Sequence, residues 1–159
     1  MSKLFKSSDY VEDMIRTEFS NCGLEAYGIV LNVISTIKAK EVIKVSKASP
    51  ETEFLTNKES MITITVYEQA FEKIDEDGQK KVVEGAISCI SYDSEKDKIN
   101  IDKSEGNMFH RMRHKYNNDV LNIFEQASLA IQQIEDEEKE AKEAAKEAKA
   151  AERESKKNK

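Results

Sequence analysis

The chain contains no tryptophan, one proline, five glycines, two histidines and two cysteines in 159 residues. Cys22 and Cys89 are too few for a disulfide framework, and their spacing fits neither a zinc ribbon nor a redox pair, so both read as free thiols. Cys89 falls on the inner face of a predicted helix, and Cys22 beside a turn at Asn21-Cys22-Gly23. Two histidines leave little material for a Ser/His/Asp triad, and no glycine-rich phosphate loop or nucleophile elbow is present. No segment approaches the roughly 18 apolar residues of a membrane span, and MSKLFKSSDY has lysines without an apolar run behind them. These absences predict a cytoplasmic protein with no membrane partner. An excess of basic charge is also missing: 25 lysines and arginines stand against 31 acidic residues, for a net charge of −6. Residues 135–159 hold 9 acidic and 8 basic residues, which leaves −5 on the preceding chain and argues against nonspecific phosphate binding as the main activity.

The organisation along the chain follows from periodicity. Val11, Met14, Ile15 and Phe19 predict an amphipathic helix over 9–19, capped by Ser8 or Asp9 and stopped at 21–23. A β-branched run predicts a strand over 28–34, and a second follows at 42–47, ended by Ala48-Ser49-Pro50. Ile62, Ile64 and Val66 alternating with Thr63, Thr65 and Tyr67 give the clearest strand, over 61–67. Phe71 and Ile74 anchor a short turn or helical segment. Asp75-Glu76-Asp77 then opens a helix running to about residue 91, with Val82, Val83, Ala86, Ile87 and Ile90 as its apolar stripe. Ile99 and Ile101 mark a further strand across the polar turn Ser94-Glu95-Lys96-Asp97. From about Met108 the pattern is helical. Val120, Ile123, Phe124, Ala127, Ile131 and Ile134 form a stripe suited to docking on the sheet or on another helix, or to pairing two copies. Beyond Ile134, alanines with Glu/Lys pairs four apart predict an exposed helix.

The order strand, helix, Tyr-Asp, strand in MITITVYEQAFEKIDEDGQKKVVEGAISCISYDSEKDKINIDKSEGNMFHRMRHKYN resembles the metallopeptidases of bacteriophages, a family of small zincin-like proteins. In that family a segment like ITITVYEQAFEKIDEDGQKKVV precedes the metal-binding helix and one like SYDSEKDKINI follows it. The likeness extends from VLNVISTIKAKEVIKVSKASPETEFLT to MFHRMRHKYN, about residues 24–117. It implies the family's fold and a zinc site of the form His-Glu-x-x-His. Two histidines at i and i+4 hold the metal from one helix face, and the glutamate polarises the bound water. Here those positions fall on Gly85, Ala86 and Cys89, and a register shifted by one gives Glu84, Gly85 and Ser88. No family functional residue therefore carries over, and the resemblance implies a scaffold that has lost its chemistry.

A rival metal candidate is His110-Arg111-Met112-Arg113-His114. Its histidines are four apart, but Arg111, Arg113 and Lys115 would face a divalent cation, and one like-charge pair at 4 Å costs about 4 kcal/mol at an effective dielectric of 20. Cys89 with His110 and His114 is the remaining ligand set. As a binding patch, Phe109, His110, Arg111, Arg113, His114, Lys115 and Tyr116 interleave aromatic and basic groups in the manner of single-strand binders. Among the carboxylates, Asp75, Glu76 and Asp77 read as a helix start and Glu95 with Asp97 as a polar turn. Tyr92-Asp93 stands out as the one further pair, with Asp93 at a helix exit placed to cap or cross-link the following turn.

These readings predict an α+β domain: a small mixed or antiparallel sheet packed on a central helix, with a long charged C-terminal helix. The domain covers residues 1–134, comprising a zincin-like scaffold at about 24–117 and a docking helix at 118–134, and 135–159 form an exposed helical tail. The expected function is non-catalytic, needs no cofactor, and rests on binding a phage or host protein in the host cytoplasm. A homodimer through the C-terminal helix is a further expectation. Nucleic-acid binding by 109–116 is the alternative, and a metal-dependent hydrolase with atypical ligands the second.

Overall fold

The alternation at 61–67 forms a strand over the same residues, β4 (Met61–Tyr67), and β4 is central to the sheet. The computed structural model describes residues 3–57, 60–102, 105–117 and 119–157, by backbone alone along 105–110 and 150–157. It shows the predicted α+β class. On one side β4 runs parallel to β2 (Val30–Thr36), and on the other antiparallel to β3 (Ile43–Lys47). A three-residue strand, β1 (Leu4–Lys6), pairs antiparallel with the outer side of β2, giving the order β1-β2-β4-β3.

Register decides which side chains meet. Leu31, Val33 and Ser35 on β2 lie beside Ile62, Ile64 and Val66 on β4, and Val45 and Ile43 continue the rows on β3. Side chains alternate along a strand, so these residues share one face. That face is the core face, built with α1 (Asp9–Asn21) through Val11, Ile15 and Phe19, and with α4 (Glu76–Ile87) through Val83 and Ile87. Ile62, Ile64, Val66, Ile15, Phe19, Val83 and Ile87 are all less than 2% exposed, and each such side chain contributes about 1.5–3 kcal/mol of burial. Ser35 is the polar member of the face. Its hydroxyl donates to Ser7 Oγ at 2.8 Å, so neither buried oxygen is left unpaired. The opposite face carries Asn32, Thr63 and Ser46 in one row and Ile34, Thr65 and Lys44 in the next. These are half-buried or, for Lys44, exposed.

The sequence misplaces four elements. The strand expected at 28–34 begins later, because Leu24–Tyr27 form a 3-10 turn closed by Gly28 at φ 73°. That left-handed backbone suits glycine and stands outside the ladder. Pro50 does not merely end β3. With Ser49 accepting from Thr52 N at 3.2 Å, it opens a seven-residue helix, α2 (Pro50–Thr56), where a proline at the first helical position loses no hydrogen bond. The helix predicted to reach 91 stops at Ile87 as α4. Ser88 Oγ and Cys89 Sγ both turn back to Gly85 O, at 2.7 and 3.4 Å, and Ile90 leaves the helical stripe to start β5 (Ile90–Asp93). With β6 (Lys98–Ile101), β5 forms a separate hairpin in which Ile90 faces Ile101. The helical C-terminal region is broken at Asn117, φ 52°, into α5 (Glu105–Tyr116) and α6 (Asp119–Lys157).

The apolar stripe of α6 docks within the chain, on helices rather than on the sheet. Its contacts are with α5, α4 and the short α3 (Glu68–Glu72), and Val120, Ile123, Ala130 and Ile134 are buried. The stripe expected to pair two copies is therefore occupied by the protein's own helices. Past Ile134 the last holds on the body are Lys73 to Glu137 at 2.8 Å and Lys38 to Glu138 at 3.5 Å, and every side chain described from 139 to 149 is exposed. Gln79 ties three helices at the other end of this layer. Its Nε2 donates to the carbonyls of Phe71 and Ile74 at 2.9 and 3.0 Å, and its Oε1 accepts from Tyr10 of α1 at 2.9 Å.

Gly78, in the first turn of α4, sets the approach of α6. A Cβ there would lie 2.6 Å from Ile74 Cγ2 and 2.8 Å from Gln126 Oε1. Alanine gains about 1 kcal/mol in helix propensity over glycine, whereas overpacking costs about 1–3 kcal/mol. The methyl of Ile74 sits on a branched, buried carbon that cannot swing aside, so packing wins. Gly78→Ala is expected to be destabilised by about 1 kcal/mol in denaturant melts, and a stabilised variant would show that α6 does not press on this turn.

Candidate functional site

The sequence directs attention to the end of α4, the hairpin and α5, which the fold brings together. The three positions aligned with a zinc motif lie on the last turn of α4 and just beyond it. Gly85 and Ala86 are buried, and Cys89 is half-buried with its thiol donating to Gly85 O and accepting from Arg111 Nη2 at 3.5 Å. Among the described residues no group of three or more His, Cys, Asp and Glu side chains is placed to hold a metal ion. His114 is exposed on α5, and the side chain of His110 lies outside the described residues, as does that of Phe109. Cys22 is a separate thiol near the surface. Local burial, then the Glu18 carboxylate 3.8 Å from its sulfur, push it above its ordinary value of 9.0, so it stays protonated at neutral pH.

The basic segment is largely engaged by the body. Arg111 Nη1 pairs with Asp102 Oδ2 at 3.2 Å, and the Asp102 amide donates to Cys89 O at 2.8 Å, so one cluster joins α5, the base of the hairpin and the end of α4. Lys115 Nζ lies 2.5 Å from Glu84 Oε1, and the hydroxyl of Tyr116 donates to Glu84 Oε2. Lys81 stands over the Tyr116 ring at 5.2 Å while pairing with Asp77. Met112 is buried between these contacts. Of the seven predicted binding residues, Arg113, His114 and Lys115 are exposed, and Arg111, Lys115 and Tyr116 act as a latch that holds α5 on α4. A carboxylate already engaged by a lysine and a tyrosine leaves little positive field for a phosphate.

Tyr92-Asp93 lies in β5, not at a helix exit, and has a structural role. Asp93 Oδ1 accepts from the amides of Glu95 and Lys96 at 3.1 and 3.2 Å, closing the hairpin turn as expected. Tyr92 stacks on Tyr27 with centroids 4.7 Å apart and donates its hydroxyl to Asp97. That bond raises the tyrosine above its ordinary value.

The feature that sequence reasoning missed is on α2. Phe54 and Leu55 are 84% and 82% exposed, the most exposed large apolar side chains among the described residues, and with Pro50 and Glu51 they line a shallow surface depression. A helix-start signal at Ser49-Pro50-Glu51 followed by an apolar pair in the polar stretch ETEFLTNKES was available to find it. No helix among the described residues is long and apolar enough to cross a membrane. In comparisons with known proteins, no family model, curated protein or solved structure matches the chain.

Glu84 gives the latch a pH dependence with a defined sign. Its hydrogen bond raises Lys115 above the ordinary 10.5. Burial, then the same carboxylate, raises Tyr116 above 10.0. Both groups hold their protons more tightly when folded, so their contribution is complete below the ordinary values and is lost as pH rises through the folded ones. Glu84→Gln is expected to cost about 1 kcal/mol at neutral pH. Its melting temperature should then fall less steeply than that of the wild type as pH rises above about 10, through the raised folded values of Tyr116 and Lys115. Parallel slopes would mean that the latch contributes nothing.

Proposed function

We propose that the protein is a non-catalytic accessory protein that acts by binding another protein, on a framework resembling that of phage metallopeptidases. The observation that carries this reading is the pair Phe54 and Leu55, side by side on a surface helix and more than four fifths exposed. Isolated apolar residues on a surface need no explanation, but two large adjacent ones beside a proline form an anchor of the kind found at the centre of interfaces. Covering both would contribute about 3–6 kcal/mol of burial before the costs of association. Glu51 at the rim favours a partner with an apolar pocket edged by basic residues.

The non-catalytic half of the proposal rests on side-chain chemistry. Glycine and alanine at the aligned zinc positions supply no ligand and no general base, and one thiol bonded to a backbone carbonyl and an arginine does not make a zinc site. The nucleic-acid alternative loses support because Arg111 and Lys115 are paired with Asp102 and Glu84.

Phe54→Ser with Leu55→Ser is expected to keep the wild-type melting temperature within a degree or two, since surface changes of this kind cost little. The double variant should lose, by at least tenfold, binding to any protein that co-purifies stoichiometrically with the wild type. Undiminished binding would remove α2 from the interface. Zinc titration of tag-free protein is expected to show no stoichiometric site. A site abolished by His114→Ala or Cys89→Ala would instead establish the metal-dependent reading.

A further inference from the structure

The two edges of the four-stranded sheet differ in how they are guarded. An unpaired edge exposes a row of amides and carbonyls, and proteins protect it with charge, bulges or a covering element. The β3 edge has such protection: Lys44 and Lys47 are exposed along it, and both α4 and β6 approach it. The β1 edge carries Leu4, Phe5 and Lys6, all exposed, with one lysine and no proline among them, and among the described residues no element lies beyond it. Around it the exposed apolar residues gather. Leu4 is 59% exposed, Phe5 40%, Ile37 45% and Tyr10 53%. Ile37 follows Thr36, the partner of Leu4, and Tyr10 opens α1 directly after β1. Among the described residues, four of the nine exposed large apolar side chains thus lie on or next to the edge that no described element covers.

We infer that β1 is the interface with a second copy of this chain, pairing antiparallel across a two-fold axis at Phe5 so that two four-stranded sheets become one of eight strands. Charge and cross-strand pairing favour that register. A pair centred on Lys6 sets lysine against lysine, and one centred on Leu4 sets each Lys3 against a Phe5 and gives up the aromatic pair. Centred on Phe5, each Lys6 faces a Leu4 and the two Phe5 rings become a cross-strand aromatic pair, an arrangement that stabilises sheets. The four side chains expose roughly 400 Å² per copy, so a symmetric contact covering them and the strand edges reaches the order of 1,000 Å² that a specific interface requires. A small three-residue pairing of this kind gives a dimer in exchange with monomer, not an obligate one. The inference is independent of the binding role of α2.

Sedimentation equilibrium of the full chain tests it. The wild type is expected to double its mass as concentration rises through the micromolar range. Leu4→Lys, which sets lysine against Lys6, and Phe5→Glu, which sets glutamate against glutamate, should each stay monomeric with circular dichroism unchanged. Because Phe5 is partly buried, a cross-link provides the second arm. In a Cys22→Ser/Cys89→Ser background, Phe5→Cys should form a disulfide-linked dimer under mild oxidation, whereas Ile37→Cys, away from the axis, should do so at least tenfold more slowly. The Phe54→Ser/Leu55→Ser variant should dimerise like the wild type. A wild type that is monomeric throughout overturns the inference, whether the edge is then idle or taken by a different protein. So does a dimer that survives both Leu4→Lys and Phe5→Glu, or one that dissolves only when α2 is changed.

Discussion

Strand β4 is the constraint on which the rest of the structure depends. It joins the parallel β2 on one side to the antiparallel β3 on the other, and its residues are buried or half-buried along their whole length. A parallel β2–β4 pair cannot be closed by a tight turn, so the chain must travel back between them. That return path contains β3 and α2. The surface helix with its exposed Phe54 and Leu55 is therefore a product of the same connection that places β3 at the edge. The register with β2 and β3 then fixes a single apolar face, and α1 and α4 can lie only there. A one-residue slip would send Ile62, Ile64 and Val66 to the face now occupied by Thr63 and Thr65, at a cost of several kcal/mol.

Once α4 is placed, its exposed flank determines what α5 can be. Glu84 is half-buried and would be costly to leave without a partner; Lys115 and Tyr116 supply two. Asp102 does the same for Arg111. In a segment whose composition suggests a basic, aromatic ligand surface, Arg111, Lys115 and Tyr116 thereby meet carboxylates of an acidic body, while Arg113, His114 and Lys115 remain exposed. Charge pattern alone overstates the positive surface of a protein whose acids lie within reach in space.

What could be read from the sequence divides along the range of the interactions involved. The helix α1, the strand β3 and above all β4 are legible because alternation or a 3.6-residue period specifies them within a single window. Ile90 misleads for the same reason: it continues the apolar stripe of α4 by spacing, yet its burial comes from Ile101 on the paired strand, a contact across the hairpin that no local period reports. β1 is only three residues long and owes its state to β2, thirty residues away. The Glu84 contacts span 31 and 32 residues, and nothing in the local window marks Lys115 and Tyr116 as the partners of that carboxylate. α2 is a different case. Its signal was local and was read as a stop, because proline ends a strand and begins a helix with the same residue.

The same distinction explains the two halves of α6. Up to Ile134 its helical state is supported by packing: the stripe is buried against α3, α4 and α5, and the sequence pattern and the tertiary contacts agree. Beyond Glu138 no contact with the body among the described side chains supports it, and what remains is alanine and pairs such as Lys142 to Glu138 at 3.3 Å, each contributing only about 0.2–0.5 kcal/mol. Helix of that kind is held by its own propensity and frays from its free end. The body and the tail consequently answer to different variables. The first depends on apolar volume and register, while the second depends on salt, temperature and the spacing of its charges.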